Sequence, residues 1–568
     1  MVMIPGVQSS LLLDISLMII LATILAYFFR LIKQPTIPAY ILTGIILGPI
    51  VLNLINDQTD IKNLSEIGIA LLLFVVGLEL DIRKLKQFGK ISILAGISQV
   101  IFTSLVGFAI AMLLNFTKIE ALYIGLGLAF SSTVLVVKLL SDKDQIDTLH
   151  GRIAIGILLV QDIIAVIFLL FISTLKHNST SMTYILSALK GILLMVIAYT
   201  STRFILPWTF QKFAKSQEIL FLASVSSCLL FALIAYFLGF SLAIGAFLAG
   251  IALGSTTYNV DITGKMKPLR DFFATLFFVS LGMQITFSAL SSLWPQLIVL
   301  SLFVLIGNPL LILLIMRHSN AKKRTSFFTA VLLAQVSEFT LILSGLGLTT
   351  GHLAQETATL MILITILTMI ISTYLISNME SLYKRFARIL TVFEKKNTHK
   401  LSTINPKVSY DFVLLGGHRT GAYIIKYLKN TGKRFFVIDY NPEVIQRLER
   451  EQVDCLYGDV ADEEIFSKIT KAHPSVLIST IPSVESSLIL LNKIKRRNKR
   501  MVVFLTAKSV PDVIELYKKG ADFVILPELL TGQKIADYLM HLNKPKIRQW
   551  GKHYYQKLLE DRKKHIIG

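Results

Sequence analysis

One carboxylate stands mid-way along an otherwise apolar stretch: Asp162, beside Gln161, in GRIAIGILLVQDIIAVIFLLFIST, residues 151–174. An acid at the centre of a bilayer costs a few kcal/mol on insertion scales and more in simulations, so such residues mark ion or proton traffic. The plain alternative is an inert acid hydrogen-bonded inside a helix bundle. Two other groups suit the same chemistry. Ser131, Ser132 and Thr133 lie mid-way in one apolar run; Gln335 and Glu338 lie in another, on one helical face at i, i+3. Polar or irregular backbone at that depth is tolerated only in a protein-lined or wet cavity. Hydroxyls and carbonyls there can replace the water shell of a monovalent cation. Close helix packing by small hydroxyl residues and structural pairing of Glu338 with a cation are the plain readings.

A second kind of chemistry is written further along. The stretch YDFVLLGGHRTG, residues 410–421, reads as a buried strand running into a glycine turn, Gly416, Gly417, His418, Arg419, Thr420 and Gly421, with an amphipathic helix after it. The next strand, residues 434–438, ends at Asp439, 18 positions past Gly421. That spacing suits an acid that takes ribose hydroxyls after a phosphate-cradling turn. His418 stands where the second glycine of the usual pattern admits the pyrophosphate, and His418 and Arg419 can contact phosphate instead. A third strand ends beside Asp459. Strands at 475–479, 501–506 and 522–526 alternate with helices, which completes a six-strand doubly wound unit. A nucleotide fold that no longer binds is the alternative. No set of catalytic acid, base and nucleophile is visible, so the domain reads as a sensor and the chain as no enzyme.

The elements that must position these groups follow from composition. The 568 residues are 54% hydrophobic and 16% charged, and mean hydropathy is +0.65. A polytopic α-helical membrane protein looks like that; a soluble protein of this size does not. The charge pattern predicts a transmembrane domain over 1–380, a linker over 381–407, a Rossmann-like domain over 408–543 and a basic tail over 544–568. The net charge of +21 lies largely in membrane-flanking loops and the tail, so it sets topology and implies no nucleic-acid partner. Cys228 and Cys455 fall in different domains and imply neither disulfide nor metal site. The first apolar run lacks the basic start and small-residue cleavage site of a signal peptide.

Apolar runs long enough to span number about thirteen. Alternate loops differ sharply in Lys and Arg. Arg30, Lys33, Arg83, Lys84, Lys86, Lys143, Arg152, Arg203, Lys212, Lys265, Lys267, Arg317 and Arg324 flank one side; little beyond Lys62, Lys118 and Lys176 flanks the other. The positive-inside rule puts the N-terminus outside and the soluble domain in the cytoplasm of a cell whose plasma (inner) membrane the chain crosses many times. A faint repeat accompanies the spans. Gly77 and Gly282 in similar motifs stand 205 positions apart, as do Ala129 and Ala334. An odd number of spans separates them, the pattern of inverted-repeat transporters with sites at the midplane.

The motifs GIILGPI from Gly44, LFVVGLELD from Leu73, SSTVLVVK from Ser131, the Gln161-Asp162 pair, GAFLAG from Gly245, FFVSLGM from Phe277 and QVSEF from Gln335 resemble the monovalent cation:proton antiporters. Within that family the chain looks like the Kef-type potassium efflux antiporters, and the C-terminal domain resembles their RCK, or TrkA-N, domain. The resemblance covers nearly the whole chain. It implies a homodimer working by alternating access, with crossed, partly unwound helices at Ser131–Thr133 and Gln335–Glu338. It also implies that Asp162 binds cation and proton in turn. The RCK domain would bind NAD(H), AMP or a related adenine nucleotide and gate transport. Many relatives carry a basic residue where this chain has Asn308. Potassium or sodium as substrate, exchange stoichiometry, the sign of nucleotide control, and a part for glutathione or an accessory regulatory subunit stay open. A ligand-gated potassium channel is a rival, although no filter motif is present. So is a nucleotide sensor with a mere membrane anchor.

Overall fold

The computed structural model describes residues 11–55, 59–79, 89–143, 145–146, 148–172, 181–213, 216–285, 293–318, 323–393, 409–417, 420–439, 442–458, 463–481, 484–498 and 500–540. The chain divides into two compact units, Met1–Glu394 and Lys395–Gly568.

The first unit is helical. Its elements are α1 (Leu11–Leu31), α2 (Ile37–Leu47), α3 (Thr59–Glu79), α4 (Gly89–Leu113), α5 (Lys118–Gly127), α6 (Thr133–Asp142), α7 (Leu149–Ile172), α8 (Ser181–Thr200) and α9 (Leu206–Phe213). Then follow α10 (Gln217–Phe237), α11 (Leu242–Gly254), α12 (Asn259–Met283), α13 (Trp294–Leu302), α14 (Asn308–His318), α15 (Lys323–Leu332), α16 (Glu338–Thr349), α17 (Gln355–Ser377) and α18 (Met379–Phe386). Seven of the described helices are long and apolar enough to span a membrane by length and composition alone. The pairs α5–α6 and α15–α16 are each one span broken in the middle. The pairs α8–α9 and α13–α14 are each joined through one π-helical turn, over Ser201–Ile205 and Phe303–Gly307. Each π turn ends two residues before a proline, Pro207 or Pro309. Proline offers no N–H and crowds the carbonyl four residues back, and the wider turn relieves both.

The 205-residue offset now has a structural meaning. Helices α2, α4, α5 and α6 begin 205 residues before α11, α13, α15 and α16. The first seven helices thus repeat as α10 to α17, with α13–α14 together matching α4 and an odd number of spans between, so the second copy is inverted. The two copies interlock through glycine. Helix α2 crosses α12 at Gly44 and Gly282, where an added Cβ would lie 2.0 Å from the Val279 carbonyl or 2.1 Å from that of Ile41. Helix α3 crosses α11 at Gly77 and Gly250, where a Cβ would lie 2.5 Å from the Phe247 carbonyl or 2.1 Å from that of Phe74. Backbones that close admit no side chain, as in membrane helix contacts generally.

Residues 381–393, expected in the linker, belong instead to the membrane unit. Glu380 on α18 forms an ion pair with Arg324 at the start of α15. Tyr383 lies against Phe327 and Phe328, with ring centroids 6.0 and 5.9 Å away. Leu390 is buried in the cluster that holds Leu140, Ile153 and Phe328.

The second unit is a parallel six-stranded sheet in the order β3-β2-β1-β4-β5-β6. The strands are β1 (Phe412–Leu415), β2 (Phe435–Asp439), β3 (Cys455–Tyr457), β4 (Val476–Ser479), β5 (Val502–Thr506) and β6 (Phe523–Ile525). The order reverses between β1 and β4, and that switch point is where such sheets take ligands. Helix α19 (Thr420–Asn430) follows β1 through the glycine turn.

Candidate cation site and nucleotide turn

The two broken spans meet at their interruptions. Helix α5 ends at Gly127 and α6 begins at Thr133; α15 ends at Leu332 and α16 begins at Glu338. Ser132 and Ser337 cap the new helices, their hydroxyls accepting from the Leu135 and Phe339 N–H groups at 3.3 and 3.2 Å. Serine competes well for these positions because its oxygen replaces a missing backbone acceptor. Gln335 therefore lies in non-helical chain, and the expected shared face with Glu338 is not formed. A turn that tertiary partners satisfy displaced the helix that local pattern implied.

Those partners account for the loose backbone groups. The Ser337 N–H donates to the Phe130 carbonyl at 2.9 Å, joining the two breaks directly. The Ser131 hydroxyl donates to the Leu333 carbonyl at 3.0 Å, and Gln335 Nε2 to the Ser132 carbonyl at 3.4 Å. The Thr340 hydroxyl donates to the Gly127 carbonyl at 2.7 Å. From α17, the Thr368 hydroxyl accepts from the Val336 N–H at 3.3 Å, and Ser372 donates to Gln335 Oε1 at 2.9 Å. Irregular backbone survives at membrane depth only with this degree of pairing.

Helix α7 brings the acid to the crossing. The Thr133 hydroxyl donates to Asp162 Oδ2 at 2.9 Å, and the Ser131 N–H donates to Gln161 Oε1 at 3.0 Å. Gln161 is fully buried, whereas Asp162 retains 8% of its accessible surface. Helix N-termini of α6 and α16 and carbonyl ends of α5 and α15 converge here. Such a junction offers positive dipole ends to a carboxylate and carbonyl oxygens to a cation. Glu338 opens α16, with Ser337 Oγ 3.4 Å from its Oε2.

Asn308 is reached through residues that the sequence reading passed over. Gln161 Nε2 donates to Gln99 Oε1 at 2.6 Å. Gln99 Nε2 faces the Ala129 carbonyl at 3.0 Å, Thr103 Oγ1 at 3.2 Å and Asn308 Oδ1 at 3.2 Å. The Thr103 hydroxyl donates to Asn308 Oδ1 at 2.8 Å, and Asn308 Nδ2 reaches the Leu333 carbonyl at 3.5 Å. The signal in the chain was a Gln and a Thr four apart inside an apolar span, as with Thr368 and Ser372.

In the second unit, Gly416 adopts φ +89°, and a Cβ on Gly421 would lie 1.9 Å from the Gly416 carbonyl. Both positions thus require glycine. The Gly417 N–H donates to Asp439 Oδ2 at 2.7 Å, which sets the acid at the mouth of the turn. Arg447 Nη2 donates to the Gly417 carbonyl at 2.7 Å, and the Thr480 hydroxyl donates to the Leu415 and Gly416 carbonyls at 3.1 and 3.2 Å. Arg447 and Thr480 were not anticipated. Thr420 begins α19. His418, Arg419 and Asp459 lie outside the described residues.

Inverted repeats, two broken spans crossing at mid-depth and a buried acid beside them define an ion carrier of the secondary-transporter class. The sodium/hydrogen exchanger transmembrane family model matches residues 17–379, and the TrkA-N domain model matches residues 412–527. The chain belongs to the sodium/hydrogen exchanger family and carries a TrkA-N domain behind its membrane unit. It is similar to K(+) efflux antiporter 5 of Arabidopsis thaliana, 31% identical over 339 residues, or 58% of this chain and 60% of that protein, under two thirds of its length. It is 28% identical over 490 residues to the glutathione-regulated potassium-efflux system protein KefC of Escherichia coli O81, covering 85% of this chain and 77% of that one. Among solved structures, the sodium proton antiporter MjNhaP1 of Methanocaldococcus jannaschii matches at TM-score 0.47 and 17% identity, over 67% of this chain and 97% of that one.

Proposed function

We propose that this protein exchanges a monovalent cation, potassium before sodium, for protons by alternating access at Asp162. The observation that carries the reading is the Thr133–Asp162 hydrogen bond, which ties the acid to the first residue of a helix that restarts at mid-membrane. Ionised, the carboxylate binds a cation with Ser131, Ser132, Thr133 and the exposed carbonyl ends as further oxygen ligands. Protonated, it is neutral and releases the cation. Proton and cation therefore compete for one site, and inversion of the two repeats alternates its access. The printed names of two relatives, both potassium efflux systems, favour potassium. Gln335, Glu338 and Asn308 support the crossing without binding the ion first.

The TrkA-N unit acts as the gate, taking NAD(H) or an AMP-type nucleotide on Gly416–Gly421, with Asp439 on the ribose. The protein works as a homodimer with its N-terminus outside and this unit in the cytoplasm. Glutathione, carried in the name of the E. coli relative, and an accessory subunit are further candidate regulators. A direct test adds potassium, then sodium, to purified protein in weakly buffered detergent solution. Competition predicts proton release in wild type and none in Asp162→Asn. Cation binding without proton release would turn the reading toward a channel.

A further inference from the structure

We propose that Gln99 and Thr103 on α4, with Asn308 on α14, are positioning residues of the exchange site, an uncharged relay that sets Gln161 beside Asp162 and holds both helix interruptions in register. The proposal rests on Asp162 as the exchanging carboxylate. Thr103 and Asn308 stand 205 positions apart, so they are mates under the internal repeat, and they bond to each other at 2.8 Å. The two inverted copies thus touch through one hydroxyl and one amide close to their symmetry axis.

From that contact the relay serves both copies alike. Gln99 donates to the Ala129 carbonyl just past the end of α5, and Asn308 donates to the Leu333 carbonyl just past the end of α15. These oxygens lie at broken helix ends, where carbonyls lack intrahelical donors and water is scarce. The π turn over Phe303–Gly307 immediately precedes Asn308, whose side chain meets Gln99 and Thr103 of α4.

Donor and acceptor counting gives the relay a single direction. Gln161 Oε1 is taken by the Ser131 N–H, so its amide nitrogen must face Gln99 Oε1. The Gln99 nitrogen then faces Ala129, Thr103 and Asn308, and the Thr103 proton goes to Asn308 Oδ1. That leaves the Asn308 nitrogen for Leu333. Reversing any one amide sets donor against donor or acceptor against acceptor. Gln99, Thr103, Gln161 and Asn308 are all 0% exposed, so solvent cannot repair a fault. Removing Gln99 takes the partner from Gln161 Nε2, and removing Thr103 or Asn308 takes one from Gln99; either change loosens Gln161 beside Asp162. A lysine at 308 has donors only and could not accept from Thr103 and Gln99 together.

The test uses full-length protein in proteoliposomes, reading the apparent KM for potassium and for sodium separately from the maximal rate. Thr103→Val keeps shape and removes the hydroxyl. It is expected to raise the potassium KM roughly tenfold, the effect of one unsatisfied buried partner, and to change the potassium-to-sodium KM ratio. Thr103→Ser is expected to restore both. Gln99→Met should do as much as Thr103→Val or more; if it fails to fold, the valine and serine pair carries the test. Wild-type KM values and ratio in Thr103→Val, with Asp162→Asn inactive in the same vesicles, would overturn the relay and leave the site standing. Exchange persisting in Asp162→Asn would overturn the site reading, and the relay with it.

Discussion

Substituting alanine for Gly250 should separate two helices that the inverted repeats hold in backbone contact. Its Cβ would lie 2.1 Å from the Phe74 carbonyl oxygen, 2.9 Å from Gly77 Cα and 3.0 Å from the Leu78 nitrogen, all backbone atoms that no rotamer change can clear. Ordinary contact begins at 3.4 Å, so α3 and α11 must part by about 1.3 Å. Overpacking of a filled core costs about 1–3 kcal/mol, and a backbone obstacle belongs at the upper end. Helix propensity returns roughly 1 kcal/mol for glycine to alanine, leaving a net loss of about 2 kcal/mol. Gly282→Ala, whose Cβ would meet the Ile41 carbonyl at 2.1 Å, is the counterpart at the α2–α12 crossing and should behave alike. Gly264→Ala is the control, because its Cβ meets nothing within 4 Å on the same kind of helix. The assay is the thermal midpoint of purified protein in detergent, followed by loss of the monodisperse chromatographic peak. Gly250→Ala and Gly282→Ala should fall by several degrees, and Gly264→Ala should hold or rise. Equal midpoints for all three would refute the packing argument.

Two further outcomes concern the TrkA-N unit. Gly421→Ala, which would press a methyl to 1.9 Å from the Gly416 carbonyl, should abolish the thermal shift produced by NAD(H) or AMP, and Asp439→Ala should weaken binding while leaving cation affinity intact; unchanged nucleotide affinity in both would make the turn vestigial. For Asp522, burial pulls its carboxyl up, but the Lys495 ammonium at 2.9 Å and the Val503 N–H at 2.8 Å outweigh that and hold it below its ordinary value. A depressed folded-state value stabilises above the ordinary carboxylate range and is lost as pH falls through it. Asp522→Asn should therefore melt earlier than wild type at neutral pH, with the gap closing in strong acid; a gap independent of pH would contradict the assignment.

Legibility followed physical contrast. Asp162 was plain because a charge in an apolar run has no cheap explanation. The doubly wound sheet was plain because strand, glycine turn, helix and acid recur at fixed spacing. The repeat was detectable from two glycine and two alanine positions, and the structure extends it to whole helices. The uncharged polar residues that support the crossing from α4 and α17 were not legible. Gln99, Thr103, Thr368 and Ser372 look like ordinary packing residues until the broken helix ends that need their hydrogen bonds are in place. The helical face drawn through Gln335 and Glu338 failed for the same reason, since partners distant in sequence stabilise the break. Gly44, Gly77, Gly250 and Gly282, which helped to carry the family resemblance, serve helix crossings and not the ion. Residues 381–393 read as a linker because they are charged, but the aromatic contacts of Tyr383 and the burial of Leu390 hold them to the membrane unit.

The central claim is that one carboxylate serves cation and proton in turn. The most direct measurement is internal pH in proteoliposomes of wild type and Asp162→Asn as potassium, then sodium, is added outside. The account predicts proton movement that depends on the cation, stronger with potassium, in wild type and none in the variant. Potassium flux without proton movement, or exchange that persists in Asp162→Asn, would contradict it.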